Sequence, residues 1–346
     1  MRRPAFVPSF LLALACGPAE PAPEPSEPAP AASSASEARA EPPSRVGPRP
    51  GPWVDARVAE ARARLAGSEA GRLVWESIEH HGGLRAWLAA GTIAFEFDYR
   101  PVDAPERRMH TFQKIDLWSA RAVHEELEGG AGASARFAWD GERAWIAPGP
   151  DAFPTPARFW ALTPYYFVGM PFVVADSGAR YERLPDAELD GVLHRLVKIT
   201  YEAGTGDSPD DYYVLYLHPR THALAALRYV VAYPGFFPDG GHTPEKLMRY
   251  DAFEAFEGPA GAVRLATRYD TSRWDAEAGR PGEVVTRITA SRVGLGETYP
   301  EDVFAPPPGA DVSAEITAPE REPREAPEDE PEEPPSDDDA PGGPDE

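Results

Sequence analysis

From Thr92 onward the apolar residues of this chain recur with a period of two. Ile93, Phe95, Phe97 and Tyr99 point one way, and Ala94, Glu96 and Asp98 the other. That alternation marks a strand with one buried face. Comparable runs lie near residues 108–118, 121–128, 135–140, 143–147, 180–184, 192–201, 211–218, 224–233, 247–256, 263–273 and 284–293. Val263, Leu265, Thr267 and Tyr269 oppose Arg264, Ala266, Arg268 and Asp270, whereas Tyr212 to Leu217 is apolar on both faces. Asp140-Gly141, Asp190-Gly191 and His218-Pro219-Arg220-Thr221 are turn sequences between runs. The pattern of βαβ crossovers is missing, so the sheet is expected to be antiparallel. A sheet of roughly ten or eleven strands must curl or close. The class expected is therefore α+β, mainly β: a large curved antiparallel sheet, a half-open β-barrel, packed on N-terminal and mid-chain helices.

The helices are predicted on either side of the first strands. Val54, Val58, Ala61 and Leu65 have helical spacing, and Ser68 is placed to cap a second segment that carries Leu73, Val74 and Ile78 on one face. His81-Gly82-Gly83 stops that segment, because glycine accepts the left-handed conformation at a helix end. Leu84 to Leu88 has the length of one further turn. Residues 155–175 break the strand pattern, and from Phe159 onward Thr163 is their only clearly polar side chain. Pro164 and Pro171 rule out one continuous helix, and the stretch is too short and too interrupted to span a bilayer. It is expected to be a short aromatic helix lying over one mouth of the sheet. It acts either as the wall of an apolar pocket or as a plug of packed core.

Composition confines the folded part. Residues 17–52 and 306–346 hold 11 prolines each, and from Asp311 onward there are 15 acidic residues against two arginines. Such segments bury too little apolar surface to offset the entropy of ordering. The expected organisation is a signal peptide at 1–15, a modifiable Cys and Pro/Ala/Glu linker at 16–52, a folded domain at 53–305 and an acidic tail at 306–346. A formal charge of −23 argues against nucleic acid, whose phosphates call for Lys and Arg. The single cysteine rules out an internal disulfide framework and multi-Cys metal sites.

That cysteine stands at the end of a basic, then apolar, leader. Leu12-Ala13-Leu14-Ala15-Cys16 resembles the bacterial lipoprotein lipobox. The resemblance implies diacylglyceryl transfer to the Cys16 thiol, cleavage before it, and acylation (palmitate-like) of the new amine. Acyl chains contribute ~0.8 kcal/mol per buried methylene, which anchors firmly when two or three are attached. Gly17 rather than Asp after the cysteine implies outer-membrane delivery, on the periplasmic face or the surface. An extended 36-residue linker at ~3.1 Å per residue would place the domain up to ~110 Å from the membrane.

Sequence signs of catalysis are sparse: there is no Gly-x-Ser-x-Gly, His-Glu-x-x-His, P-loop or Rossmann glycine pattern, and no cofactor is called for. His218 and His222 read as turn residues, and His80-His81 as a helix end. Asp210, Asp211, His242 and Glu245 are the polar group from which a hydrolase or metal enzyme would have to be built.

Several motifs together resemble envelope domains of the outer-membrane lipoprotein carrier superfamily, the Lol-type half-barrel. They are His81-Gly82-Gly83 with Trp87, the run Phe137 to Trp145, Tyr165-Tyr166-Phe167 with Met170-Pro171-Phe172, and Asp210 to Tyr216. The resemblance covers roughly residues 70–300. It implies an antiparallel half-barrel wrapped on helices, with an apolar cavity for lipid or acyl chains. The expected function is thus a non-catalytic, lipid-anchored envelope protein holding a hydrophobic ligand. Trp160, Tyr165, Tyr166, Phe167, Met170 and Phe172 are the expected contacts. The main alternative is an interaction scaffold with a filled barrel, its acidic tail recruiting a basic protein partner.

Overall fold

The computed structural model describes residues 45–127, 134–202, 205, 208 and 210–313. The leader, Cys16, most of the linker, and the tail from residue 314 lie outside the described residues, as does Asp207. After a two-residue strand β1 (Arg45–Val46) come three helices, α1 (Gly51–Ala66), α2 (Glu69–His80) and α3 (Leu84–Ala90). Five strands follow: β2 (Thr92–Pro101), β3 (Met109–Asp116), β4 (Ala122–Glu126), β5 (Arg136–Trp139) and β6 (Ala144–Ala147). Helix α4 (Ala157–Val168) and a 3-10 turn at Phe172–Ala175 separate them from seven more. These are β7 (Ala179–Leu189), β8 (Val192–Tyr201), β9 (Tyr213–Leu217), β10 (Leu224–Tyr229), β11 (Lys246–Gly258), β12 (Gly261–Asp275) and β13 (Arg280–Leu295). Two short strands, β14 (Tyr299–Pro300) and β15 (Asp311–Ser313), finish the described chain.

Thirteen strands form one antiparallel sheet in the order β15-β6-β5-β4-β3-β2-β13-β12-β11-β10-β9-β8-β7. The sheet is open and curved, with β15 and β7 as its edges. Two meanders compose it, β2–β6 and β7–β13, joined where β13 pairs with β2 through Ile288↔Tyr99 and Ala290↔Phe97. The chain leaves the first meander near one edge and re-enters the second at the opposite edge. Helix α4 is the connection between them, and it packs on β4, β5 and β6 and reaches β12.

The principal core lies between the helices and one face of the sheet. Val54, Leu65, Val74, Ile78 and Trp87 from the helices meet Phe95, Phe97, Phe137, Leu215, Leu227 and Leu265 from the strands, all nearly or fully buried. The residues on β2 are those selected by the alternation. Two smaller clusters lie apart from this core. Leu196, Val214, Tyr216 and Leu247 are covered by Leu184, Leu189 and Trp274, which explains why the β9 segment is apolar on both faces. Val123, Ala138 and Trp145 are covered by Val46 and Phe304, with Trp145 Nε1 donating to the Phe304 carbonyl at 2.7 Å. Ordered elements therefore reach beyond residues 53–305 on both sides. Arg45–Val46 pairs with Tyr299–Pro300, and Asp311–Ser313 with Ala144–Ile146. These strands are two or three residues long, too short to carry a periodic signal.

The His-Gly-Gly corner ties the helices to the sheet. Ser68 caps α2 by accepting from Gly71 N at 2.9 Å. At the other end His81 is buried, its Nδ1 donating to the Arg264 carbonyl at 2.9 Å and its Nε2 accepting from Leu224 N at 3.2 Å. Acceptance at Nε2 needs the neutral ring. Burial pushes its pKa down to about 4, more than the Arg264 carbonyl pulls it up. Gly82 has φ +111°, and a Cβ there would stand 2.4 Å from the Ala262 carbonyl oxygen, so no larger residue lets α2 end against β12.

Candidate functional site

Helix α4 begins after Pro156 and carries Pro164 in its interior. Proline there has no N–H, so the carbonyl one turn back loses its intrahelical partner. Side chains of the sheet also hold the helix, at carbonyls other than the one Pro164 frees. His124 Nε2 donates to the Ala161 carbonyl at 2.9 Å, and the Tyr250 hydroxyl donates to the Phe167 carbonyl at 2.9 Å. His124 is fully buried and stacks on Phe137, with centroids 4.6 Å apart, and burial lowers its pKa to about 4. Thr163, the one clearly polar residue of the helix after Arg158, turns its hydroxyl back to the Phe159 carbonyl at 2.7 Å.

The six expected contact residues divide between two environments. Trp160 is buried among Phe97, Tyr99 and Phe153. Phe172 stacks on Trp87 with centroids 4.8 Å apart and planes 8° from parallel, and Tyr165 stacks on the same indole at 6.3 Å. Met170 is buried in the same core. Tyr166 and Phe167 instead line a hollow between α4 and the ends of β8, β9 and β10, partly open to solvent. Its volume is about 130 Å³, enough for on the order of ten water molecules. Phe159, Leu162, Tyr229, Val230 and Val231 supply the rest of its apolar wall. Phe167 and Tyr229 face each other with centroids 5.2 Å apart.

Tyr201, Tyr213 and Tyr233, with Asp211, Arg158 and the hydroxyl-bearing Thr163, Thr205 and Ser208, complete the described lining and were not singled out as ligand contacts by the sequence. A signal existed: Tyr213 and Tyr229 are register partners, and Ile199, two residues before Tyr201, pairs with Tyr213. Tyrosines thus gather at neighbouring strand ends, in strands otherwise aliphatic on that face. Burial holds the Tyr201 and Tyr213 hydroxyls protonated well above their ordinary range.

The polar group considered for catalysis does not converge. Asp211 Oδ1 accepts from Ala232 N at 2.5 Å, and Asp210 lies in an exposed turn. Glu245 accepts from the Tyr212 hydroxyl at 2.5 Å and pairs with Arg228 at 3.3 Å, while His242 Nδ1 donates to the Thr243 carbonyl. Among the described residues no three His, Cys, Asp or Glu side chains are grouped to hold a metal ion.

Two other hollows are charged. One of about 210 Å³, on the Tyr165 side of α4, is edged by Arg57, Arg64, Trp118 and Asp176 and also bordered by the stacked Trp87, Tyr165 and Phe172, with Arg57 donating to Asp176 at 2.9 Å. The other, about 630 Å³, lies on the exposed surface and is laced by ion pairs. There Arg249 grips Asp190 through two bonds of 2.9 Å, and Arg268 meets Asp251 at 2.6 Å.

The class these features define is an open antiparallel half-barrel wrapped on helices, with a small aromatic hollow under its crossover helix. Among solved structures, the chain is similar to a LolA superfamily protein from Nitrosomonas europaea at 12% identity, covering 69% of this chain and 99% of that one with a TM-score of 0.44. It is also similar to a domain from Vibrio parahaemolyticus described as outer membrane lipoprotein-sorting, at 9% identity, 68% and 95% coverage and a TM-score of 0.41. Lipoprotein LppX from Mycobacterium tuberculosis is similar at 13% identity, 63% and 100% coverage and a TM-score of 0.22. No protein-family model matches the chain. No curated protein matches it.

Proposed function

We propose that this chain is a lipid-anchored protein of the bacterial cell envelope that holds a hydrophobic ligand, a lipid or an acyl chain, between α4 and the inner face of its open sheet, without catalysis. The observation that carries the reading is the hollow under α4, walled by Phe159, Leu162, Tyr166, Phe167 and Tyr229. An apolar concavity beside a helix that carries its own proline break is a natural place for a greasy guest. Pockets for drug-sized ligands run from about 300 Å³ upward, so 130 Å³ receives one end of a ligand rather than the whole of it. Anchoring through Cys16 and placement at the outer membrane belong to the same proposal and rest on the lipobox-like leader.

Native mass spectrometry of the mature protein, taken gently from membranes, tests the reading. Bound lipid is expected, together with an acylated N-terminal cysteine. Leu162→Trp, which fills the hollow, should remove the bound species while circular dichroism stays unchanged. A protein that is always empty, with Leu162→Trp indistinguishable from wild type, would instead establish the filled scaffold.

A further inference from the structure

The outer face of the sheet carries a charge imbalance that is independent of the ligand reading. Across β11, β12, β13 and β2, the register sets Arg249, Asp270, Arg287 and Arg100 in one row. Asp251, Arg268, Thr289 and Asp98 form the row beside it. On β11 and β12 the signs alternate both along and across the strands, so each charge faces its opposite. Between β13 and β2 the alternation fails, because Arg287 stands directly opposite Arg100. Like charges placed in this way destabilise a strand pair.

The carboxylates nearby do not make up the difference. Asp98 accepts from Arg108 at 2.7 and 2.8 Å and also from Arg100, so two guanidiniums share one acid. Arg287 reaches Asp270 only at 4.0 Å, and Arg292 lies 3.5 Å from Glu96. Along the paired stretch of β2 and β13, counting Arg108 from the adjoining turn, four arginines thus meet two acids. Depth adds to the imbalance. The side chains of Asp98 and Glu96 are 6% and 19% exposed, whereas those of Arg100, Arg287 and Arg292 are 55%, 66% and 63% exposed. What solvent meets there is guanidinium, on a chain whose formal charge is −23. Arg100 and Arg287 also line the surface hollow of about 630 Å³, which leaves room above them for several carboxylates.

The polyanion nearest to hand belongs to the same chain. Residues 314–346 hold 14 acids and two arginines, and nine of those acids fall within 325–339 with no basic residue among them. The chain approaches β15 along the outer face, where Phe304 covers Val123, Ala138 and Trp145. From β15 to β2 is five strand spacings, about 24 Å. The twelve residues that lead from Ser313 to Glu325 span up to about 40 Å when extended. We infer that the acidic tail folds back on its own molecule and lays the carboxylates of 325–339 over Arg100, Arg287 and Arg292. A tether of this length holds the tail at roughly millimolar local concentration, so contacts that are individually weak suffice, and salt releases them.

Arginine-specific modification by phenylglyoxal, mapped by mass spectrometry on the mature full-length protein in mild detergent, tests the inference. A second protein carries glutamine or asparagine in place of the nine acids of 325–339. At about 20 mM salt, Arg100, Arg287 and Arg292 should react about fivefold more slowly in the wild type than in the neutralised protein. At about 0.5 M salt the two proteins should react alike. Arg72 on α2 and Arg220 in the β9–β10 turn, both exposed, should not distinguish them. Equal rates at low salt overturn the inference. Protection that fades on dilution also overturns it, since the tail would then be reaching a second molecule.

Discussion

Helix α4 has two unlike surroundings. On one side Tyr165 joins Phe172 in the stack on Trp87, and Trp160 fills the space against Phe97 and Tyr99. On the other, Tyr166 and Phe167, the very next residues, border a hollow. The two sides have nearly the same composition of aromatic rings. They differ in what faces them: the Trp87 stack borders a hollow edged by Arg57, Arg64 and Asp176, whereas the second hollow has an apolar wall and strand ends bearing tyrosines. Similar rings therefore line spaces of opposite character, and the residues across from them decide whether the space is charged or apolar.

The contrast can be broken most forcefully at Phe172. Truncating it to alanine should cost about 3–5 kcal/mol, the usual price of a large cavity in a packed interior, read as a loss of denaturation midpoint. A loss below 1 kcal/mol would mean that the Trp87 stack contributes little to the core. Acid should act next. His124 and His81 are neutral in the folded protein, with pKa values lowered to about 4 from 6.5. Between those limits the unfolded chain binds protons that the folded one does not. Their stabilisation is therefore complete above pH 6.5 and lost as pH falls toward 4, on the order of 3 kcal/mol for each ring. Denaturant titrations at several pH values read this directly, and His124→Gln should flatten part of the decline. The smallest effect belongs to the hollow side: Tyr166→Ala should lower stability by about 1 kcal/mol or less, because its ring already borders empty space. A cost equal to that of Phe172→Ala would erase the distinction between the two sides.

Most of the sheet was legible in the sequence. Each of the twelve runs read as strands from the sequence falls on a strand, although the sheet has thirteen strands where ten or eleven were expected, and Ser68 and His81-Gly82-Gly83 bound α2 where local chemistry places them. The sheet's order was not legible, because alternation says which residues share a face and nothing about which strand lies next to which. That β13 returns to pair with β2 depends on contacts nearly two hundred residues apart, such as Ile288↔Tyr99. The short strands β1, β14 and β15 escaped for lack of length. At the site, the apolar run 155–175 drew attention to α4, but the far wall consists of Tyr201, Tyr213 and Tyr229, whose meeting is a fact of register. That Tyr165 and Phe172 stack on Trp87 while Phe167 faces Tyr229 depends on neighbours from α3 and β10 that no local pattern names.

The two open margins of the sheet bear on how the protein keeps to itself. An unpaired strand invites another copy to add on, and nature commonly deters this with charge or brevity. One margin, β7, carries Arg180, Glu182 and Arg183 at its start, with Asp186 and Glu188 further along. The other, β15, is three residues long and begins at Asp311, from which a train of 15 acidic residues runs to the end of the chain. Two molecules pairing through that margin would share no more than Asp311–Ser313 and would set the Asp311 carboxylates of both copies beside one another. Brevity and like charge there act as a fender for the sheet edge.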